Sequence, residues 1–79
     1  MFDCLKINKV NRKLVSSSSI KSVGYDADAK ILEVELRNGG IYQYFQVSGE
    51  EHEALITAVS IGRYYAKFIK TAHRFRRVK

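Results

Sequence analysis

The chain lacks proline and tryptophan and has one cysteine, Cys4, among its 79 residues. One cysteine cannot close an internal disulfide, and with only two histidines it cannot complete an ordinary structural zinc site. Stability must therefore come from packing, with no cofactor or metal expected. Without proline, helices and strands run uninterrupted, and the five glycines carry the burden of turning. No apolar run approaches the roughly 20 residues that cross a bilayer, or the roughly 7–15 of a signal-peptide core. A cytoplasmic protein with no membrane partner is expected. A chain of this size forms one domain and buries only roughly 60% of the surface its unfolded form exposes, which argues against a deep, private active-site cleft.

What the sequence does have is positive charge and aromatic residues. Formal net charge is +6, with five tyrosines and four phenylalanines. The charge is unevenly placed. Residues 20–60 hold three bases against seven acids, whereas residues 61–79 hold seven bases and no acid. The molecule is electrically two-ended, and such a basic block suits an acidic partner.

Along the chain, Ile7, Val10 and Leu14 have helix-like spacing amid scattered charges, and residues 1–15 are read as a flexible basic N-terminal arm. Ser16–Ser19 favour irregular backbone and mark the boundary of a domain over 16–79, although four serines can also begin an edge strand. Ile20, Val23 and Tyr25 form a short strand with Gly24 inside it, and Asp26 to Lys30 form a turn. Leu32, Val34 and Leu36 alternate with Glu33 and Glu35 in the period of a half-buried strand. Asn38-Gly39 then supplies a hairpin turn, and the return strand begins with Tyr42.

The turn decides where Tyr42 and Tyr44 point. A two-residue turn at Asn38-Gly39 sets them opposite Glu35 and Glu33 on the outer face; this register is favoured because Asn-Gly is a strong hairpin signal. A loop longer by one residue sets them beside Leu36, Val34 and Leu32, in the core. Outward tyrosines would offer a stacking platform for bases.

Ser48 with Glu51 makes a capping box for a helix whose buried stripe is Ala54, Leu55, Ala58 and Val59. Ser60-Ile61-Gly62 breaks this helix and opens another. On a helical wheel, Ile61, Tyr64, Tyr65, Phe68, Ile69, Ala72 and Phe75 share one face. Arg63, Lys67, Lys70, Arg74 and Arg77 share the opposite one, a basic stripe suited to tracking phosphates. The fold expected is α+β, a three-stranded antiparallel β-meander packed by two C-terminal α-helices.

Catalysis finds little support. His52-Glu53-Ala54-Leu55-Ile56 begins like a zinc-protease helix but has isoleucine where the second histidine must stand. Ser60 reads as a helix cap, and Cys4 has no base beside it. A non-enzymatic protein is expected.

Several of these residues together resemble the KTSC domain family: Ser19-Ile20 with Val23-Gly24-Tyr25-Asp26, the Leu32/Val34/Leu36 alternation, Gly40 with Tyr42-x-Tyr44, and Ala58-x-Ser60-x-Gly62-x-Tyr64-Tyr65. The likeness covers about residues 15–78. Ser48-Gly49 stands in place of a Val-Pro helix start, and no asparagine follows the Tyr64-Tyr65 pair soon after. The family takes its name from the C-terminus of some lysyl-tRNA synthetases and includes small bacterial and phage proteins. The resemblance implies RNA binding. The expected function is a nucleic-acid-binding module, RNA preferred, using Arg63, Lys67, Lys70, Arg74 and Arg77 on phosphates, with Tyr42 and Tyr44 stacking. The alternative is a protein-interaction module or inhibitor that docks its basic face on an acidic or nucleic-acid-handling protein. A helix-turn-helix DNA reader fits less well, because the basic face lacks the Asn or Gln that reads adenine.

Overall fold

The computed structural model describes residues 12–79. Most of the basic arm, including Lys6, Lys9 and Cys4, lies outside the described residues. The protein is α+β, with a five-stranded antiparallel sheet in sequential order: β1 (Arg12–Leu14), β2 (Ile20–Asp26), β3 (Ile31–Leu36), β4 (Ile41–Tyr44) and β5 (Phe75–Arg77). The expected meander is β2-β3-β4. Two short edge strands extend it, one from the stretch read as the arm's end and one from the stretch read as helix.

Between β4 and β5 the chain forms α1 (Gly49–Ile56) and α2 (Ile61–Tyr64), and α2 continues as a π-helical turn over Tyr65–Ile69. The capping box forms as expected: Glu51 N–H donates to Ser48 Oγ at 3.1 Å, and Ser48 N–H donates to Glu51 Oε1 at 3.0 Å. Ser60 caps α2 by accepting from Arg63 N–H at 3.3 Å.

The hairpin corrects the favoured register. Leu32 pairs with Tyr44 and Val34 with Tyr42, so both tyrosines lie on the core face. A type I′ turn needs positive φ at both central residues, but Gly39 has φ +99° and Asn38 is not among the positive-φ residues. Instead Gly39 N–H donates to Leu36 O at 3.0 Å, closing a turn with Arg37 and Asn38 at its centre. Leu36 N–H then donates to Gly40 O at 2.8 Å, so the loop is one residue longer. Asn38 Oδ1 accepts from Gly40 N–H at 2.9 Å and holds this geometry. Gly39→Ala is expected to lose about 1–2 kcal/mol in urea unfolding, because a Cβ strains the left-handed backbone although it meets no atom.

The core joins Ile20, Val23, Leu32, Val34, Tyr44 and Val47 to Leu55 of α1 and to Tyr65 and Ile69 of α2. The expected helix stripes are only partly buried. Val59 is exposed at the helix break, and Phe68 and Phe75 are about half exposed. The helix also ends sooner than its periodicity suggests. His73 Nδ1 lies 3.0 Å from Phe45 O, and Nε2 lies 2.8 Å from Glu51 Oε2. Pinned there, the chain turns back, and Phe45 N–H donates to Arg74 O at 2.9 Å as β5 begins.

The hydrogen bond from Ser48 N–H, then the contact with His73, holds the Glu51 carboxyl below its ordinary value near 4.5. Because the folded state favours the carboxylate, this stability is present above about pH 4.5 and is lost as pH falls below it. Glu51→Gln is expected to flatten that acid limb in a pH series of thermal melts.

Candidate nucleic-acid interface

The expected basic stripe does not form as one face. Arg63, Lys67 and Lys70 are exposed on α2 and its continuation, but Arg74 follows His73 and Arg77 lies on β5, so both have left the helix. The π turn, closed by Lys70 N–H to Tyr65 O at 2.8 Å, also changes the helical phase. Arg77 instead pairs with Tyr42 across β4-β5, its guanidinium 5.7 Å from the Tyr42 ring centroid. Among the described residues no Asp or Glu carboxylate lies within ion-pair reach of Arg63, Lys67, Lys70, Arg74 or Arg77, and Arg77 donates Nε–H to Lys79 O at 2.9 Å.

Tyr44 cannot act as an open stacking surface. Its side chain is buried, and its hydroxyl lies 2.5 Å from that of Tyr65. Burial, then this hydrogen bond, raises the Tyr44 hydroxyl's pKa; burial also raises that of Tyr65. Both stay protonated at neutral pH. One proton bridges the pair, leaving one O–H to donate elsewhere. Tyr42 is half-buried, and Phe75 lies 5.7 Å from it and 5.6 Å from Tyr44 between ring centroids.

These aromatics floor a cavity of about 440 Å³ between the sheet and the end of α2, with Tyr42, Tyr44, Tyr65 and Phe75 in its wall and Asn38 and Lys70 at its rim. A second cavity of about 430 Å³ adjoins it, shares Leu36, Asn38, Tyr65 and Lys70 with it, and is lined further by Ser18, Ser19, Arg37, Gly62 and Ala66. Arg37 is held in place by donating Nε–H to Ser17 O at 2.8 Å. A Cβ at Gly62 would stand 2.5 Å from Ser19 Oγ, so glycine permits this close approach of α2 to the serine run.

The acids lie elsewhere. Glu33 and Glu35 project from the opposite face of the sheet, where Glu33 binds Arg12 at 2.5 Å and Gln43 at 2.8 Å, and Glu35 accepts from Ser22 at 2.8 Å. With the tyrosines on the core face, these carboxylates no longer share a surface with them. Arg37, Asn38 and Phe75 carry no site signal in the sequence: Arg37 only precedes the Asn38-Gly39 turn, Asn38 belongs to it, and Phe75 falls on the apolar face of the expected helix. The Tyr44–Tyr65 contact joins residues far apart in sequence, and no local pattern signals it.

Both histidines are engaged with neighbouring groups. His52 stacks on Tyr25 with ring centroids 4.6 Å apart, and His73 is engaged on both nitrogens. No group of three or more metal-ligating side chains gathers among the described residues. No helix among them is long and apolar enough to cross a membrane.

The KTSC domain family model matches residues 16–75. An uncharacterized protein of Stutzerimonas stutzeri is 41% identical over 64 residues, covering 81% of this chain and 90% of that protein. A lysine–tRNA ligase of Nostoc punctiforme is 36% identical over 58 residues, 73% of this chain but 10% of the ligase. A crystal structure of a KTSC domain protein from Yersinia pestis superimposes with a TM-score of 0.86 at 39% identity, covering 90% of this chain and all of that one. With the family model matching most of the chain and the strands, helix break and tyrosines in place, this protein belongs to the KTSC domain family.

Proposed function

We propose that the domain is a small, non-enzymatic nucleic-acid-binding module that prefers RNA. The observation that carries this reading is the cluster of cations without acidic neighbours around the aromatic cavity. Lys70 and Arg37 rim the paired cavities, Arg77 lies over Tyr42, and Arg63 and Lys67 continue the positive surface along α2. Solvated helix faces commonly mix signs for i,i+4 pairing, and this one does not. Cations grouped in this way bind phosphates by releasing counterions. The preference for RNA rests on the domain's relatives within proteins named lysine–tRNA ligase. A cytoplasmic location accords with this function.

A second reading has its own observation. Val59 and Phe68 are exposed beside Arg63 and Lys67 in a shallow groove, a surface that would accept an acidic, partly apolar protein segment. Purification with and without nuclease separates the two readings. Nucleic acid that copurifies and is lost on nuclease treatment is the expected result, scored by the 260/280 nm absorbance ratio. A stoichiometric protein that survives nuclease, with no nucleic acid in the untreated sample, would replace the first reading by the second.

A further inference from the structure

We propose that the two adjoining cavities form a slot for one unpaired nucleotide of a single strand, with its base on the aromatic floor and its phosphate against Arg37 and Lys70. The inference rests on the nucleic-acid reading and deepens it. The cavities adjoin, because Leu36, Asn38, Tyr65 and Lys70 line both, and they differ in which side chains complete them. One is walled by Tyr42, Tyr44, Tyr65 and Phe75, and Phe75 is 54% exposed, so it is the most accessible of these aromatics to a base. The other is lined by both Arg37, from the hairpin loop, and Lys70, from the end of α2.

The polar groups needed to hold a base edge are also present. Asn38 uses Oδ1 on Gly40 N–H, leaving its amide N–H groups to donate. The Tyr44–Tyr65 pair keeps one O–H beyond its internal bond. Arg37 spends Nε–H on Ser17 O, which orients the guanidinium and leaves its terminal nitrogens for a phosphate. The carboxylates of Glu33 and Glu35 lie across the sheet, so they do not repel an anion here.

A base in a duplex has both faces covered by its neighbours and cannot enter a walled cavity, whereas an unpaired base can be splayed out and stacked. The slot therefore discriminates strand state, which the basic surface alone does not. A free mononucleotide carries the same chemistry, so the strand and the monomer must be compared.

The test titrates the full-length protein with an RNA dodecamer as a single strand, with the same strand as a blunt duplex, with the strand bearing one central abasic residue in a uridine-rich context, and with uridine monophosphate. The single strand is expected to bind at least about tenfold more tightly than the duplex. Phe75→Ala, with folding checked by thermal melting, is expected to lower single-strand affinity about 5- to 100-fold, leaving duplex binding and the salt slope unchanged. Lys70→Ala weakens both forms and reduces the salt slope. Uridine monophosphate competes with the strand only at high concentration. Equal binding of both RNA forms, with no effect of Phe75→Ala, would overturn the slot and leave the nucleic-acid reading standing. If neither RNA form binds, that reading falls as well, even where the mononucleotide is bound.

Discussion

Tyr44→Ala is expected to cost about 3–5 kcal/mol of folding stability, as truncations of buried aromatics do, and to lower the melting temperature of a domain this small by at least about 12 °C. Tyr44 is 2% exposed, packs edge-on against Tyr65 with centroids 5.7 Å apart, and shares a hydroxyl contact with it. The mutation removes the ring that joins β4 to α2 and leaves the Tyr65 hydroxyl without its partner. Tyr44→Phe isolates the second effect and is expected to cost about 1–3 kcal/mol. Tyr42→Ala, at a half-buried position two residues away, is expected to cost only about 1–2 kcal/mol. The contrast reports the register directly. Had the hairpin closed through a two-residue turn, both tyrosines would face outward and both truncations would be mild.

Reversing Lys67 and Lys70 together, as Lys67→Glu with Lys70→Glu, is expected to weaken single-stranded RNA binding by on the order of a hundredfold or more at low salt, since each charged hydrogen bond to a phosphate contributes about 1.5–3 kcal/mol. Both residues are exposed, and among the described residues neither has an ion-pair partner, so folding should be little affected. Replacing both with glutamine should give a smaller loss, because neutralisation removes attraction without adding repulsion. A binding curve unchanged by the reversal would place the ligand away from α2.

How much the sequence disclosed varied by element. β3 was legible because Leu32, Val34 and Leu36 alternate with glutamates, and α1 because Ser48 and Glu51 form a reciprocal cap. The turn was seen, but its type was not. Asn-Gly signals a two-residue hairpin only when Asn adopts positive φ, and here the side chain of Asn38 binds Gly40 N–H instead. The basic stripe failed for a different reason. Residues 61–77 keep helical periodicity, yet His73 is pinned by Phe45 O and Glu51, both from earlier in the chain. That long-range anchor ends the helix and hands Phe75, Arg76 and Arg77 to a strand. The cations survived as a cluster while their common face did not, and the aromatic cavity has Phe75 in its wall only because the chain turns back there.

The most direct measurement of the central claim is the affinity for a single-stranded RNA across a salt series. If four or five of the cations on α2, the hairpin loop and β5 contact phosphates, log affinity should fall against log salt with a slope of about −3, and replacing Lys67 and Lys70 with glutamine should bring it to about −1.6. A flat line, or a slope that the glutamine variant shares, would contradict phosphate binding by this surface.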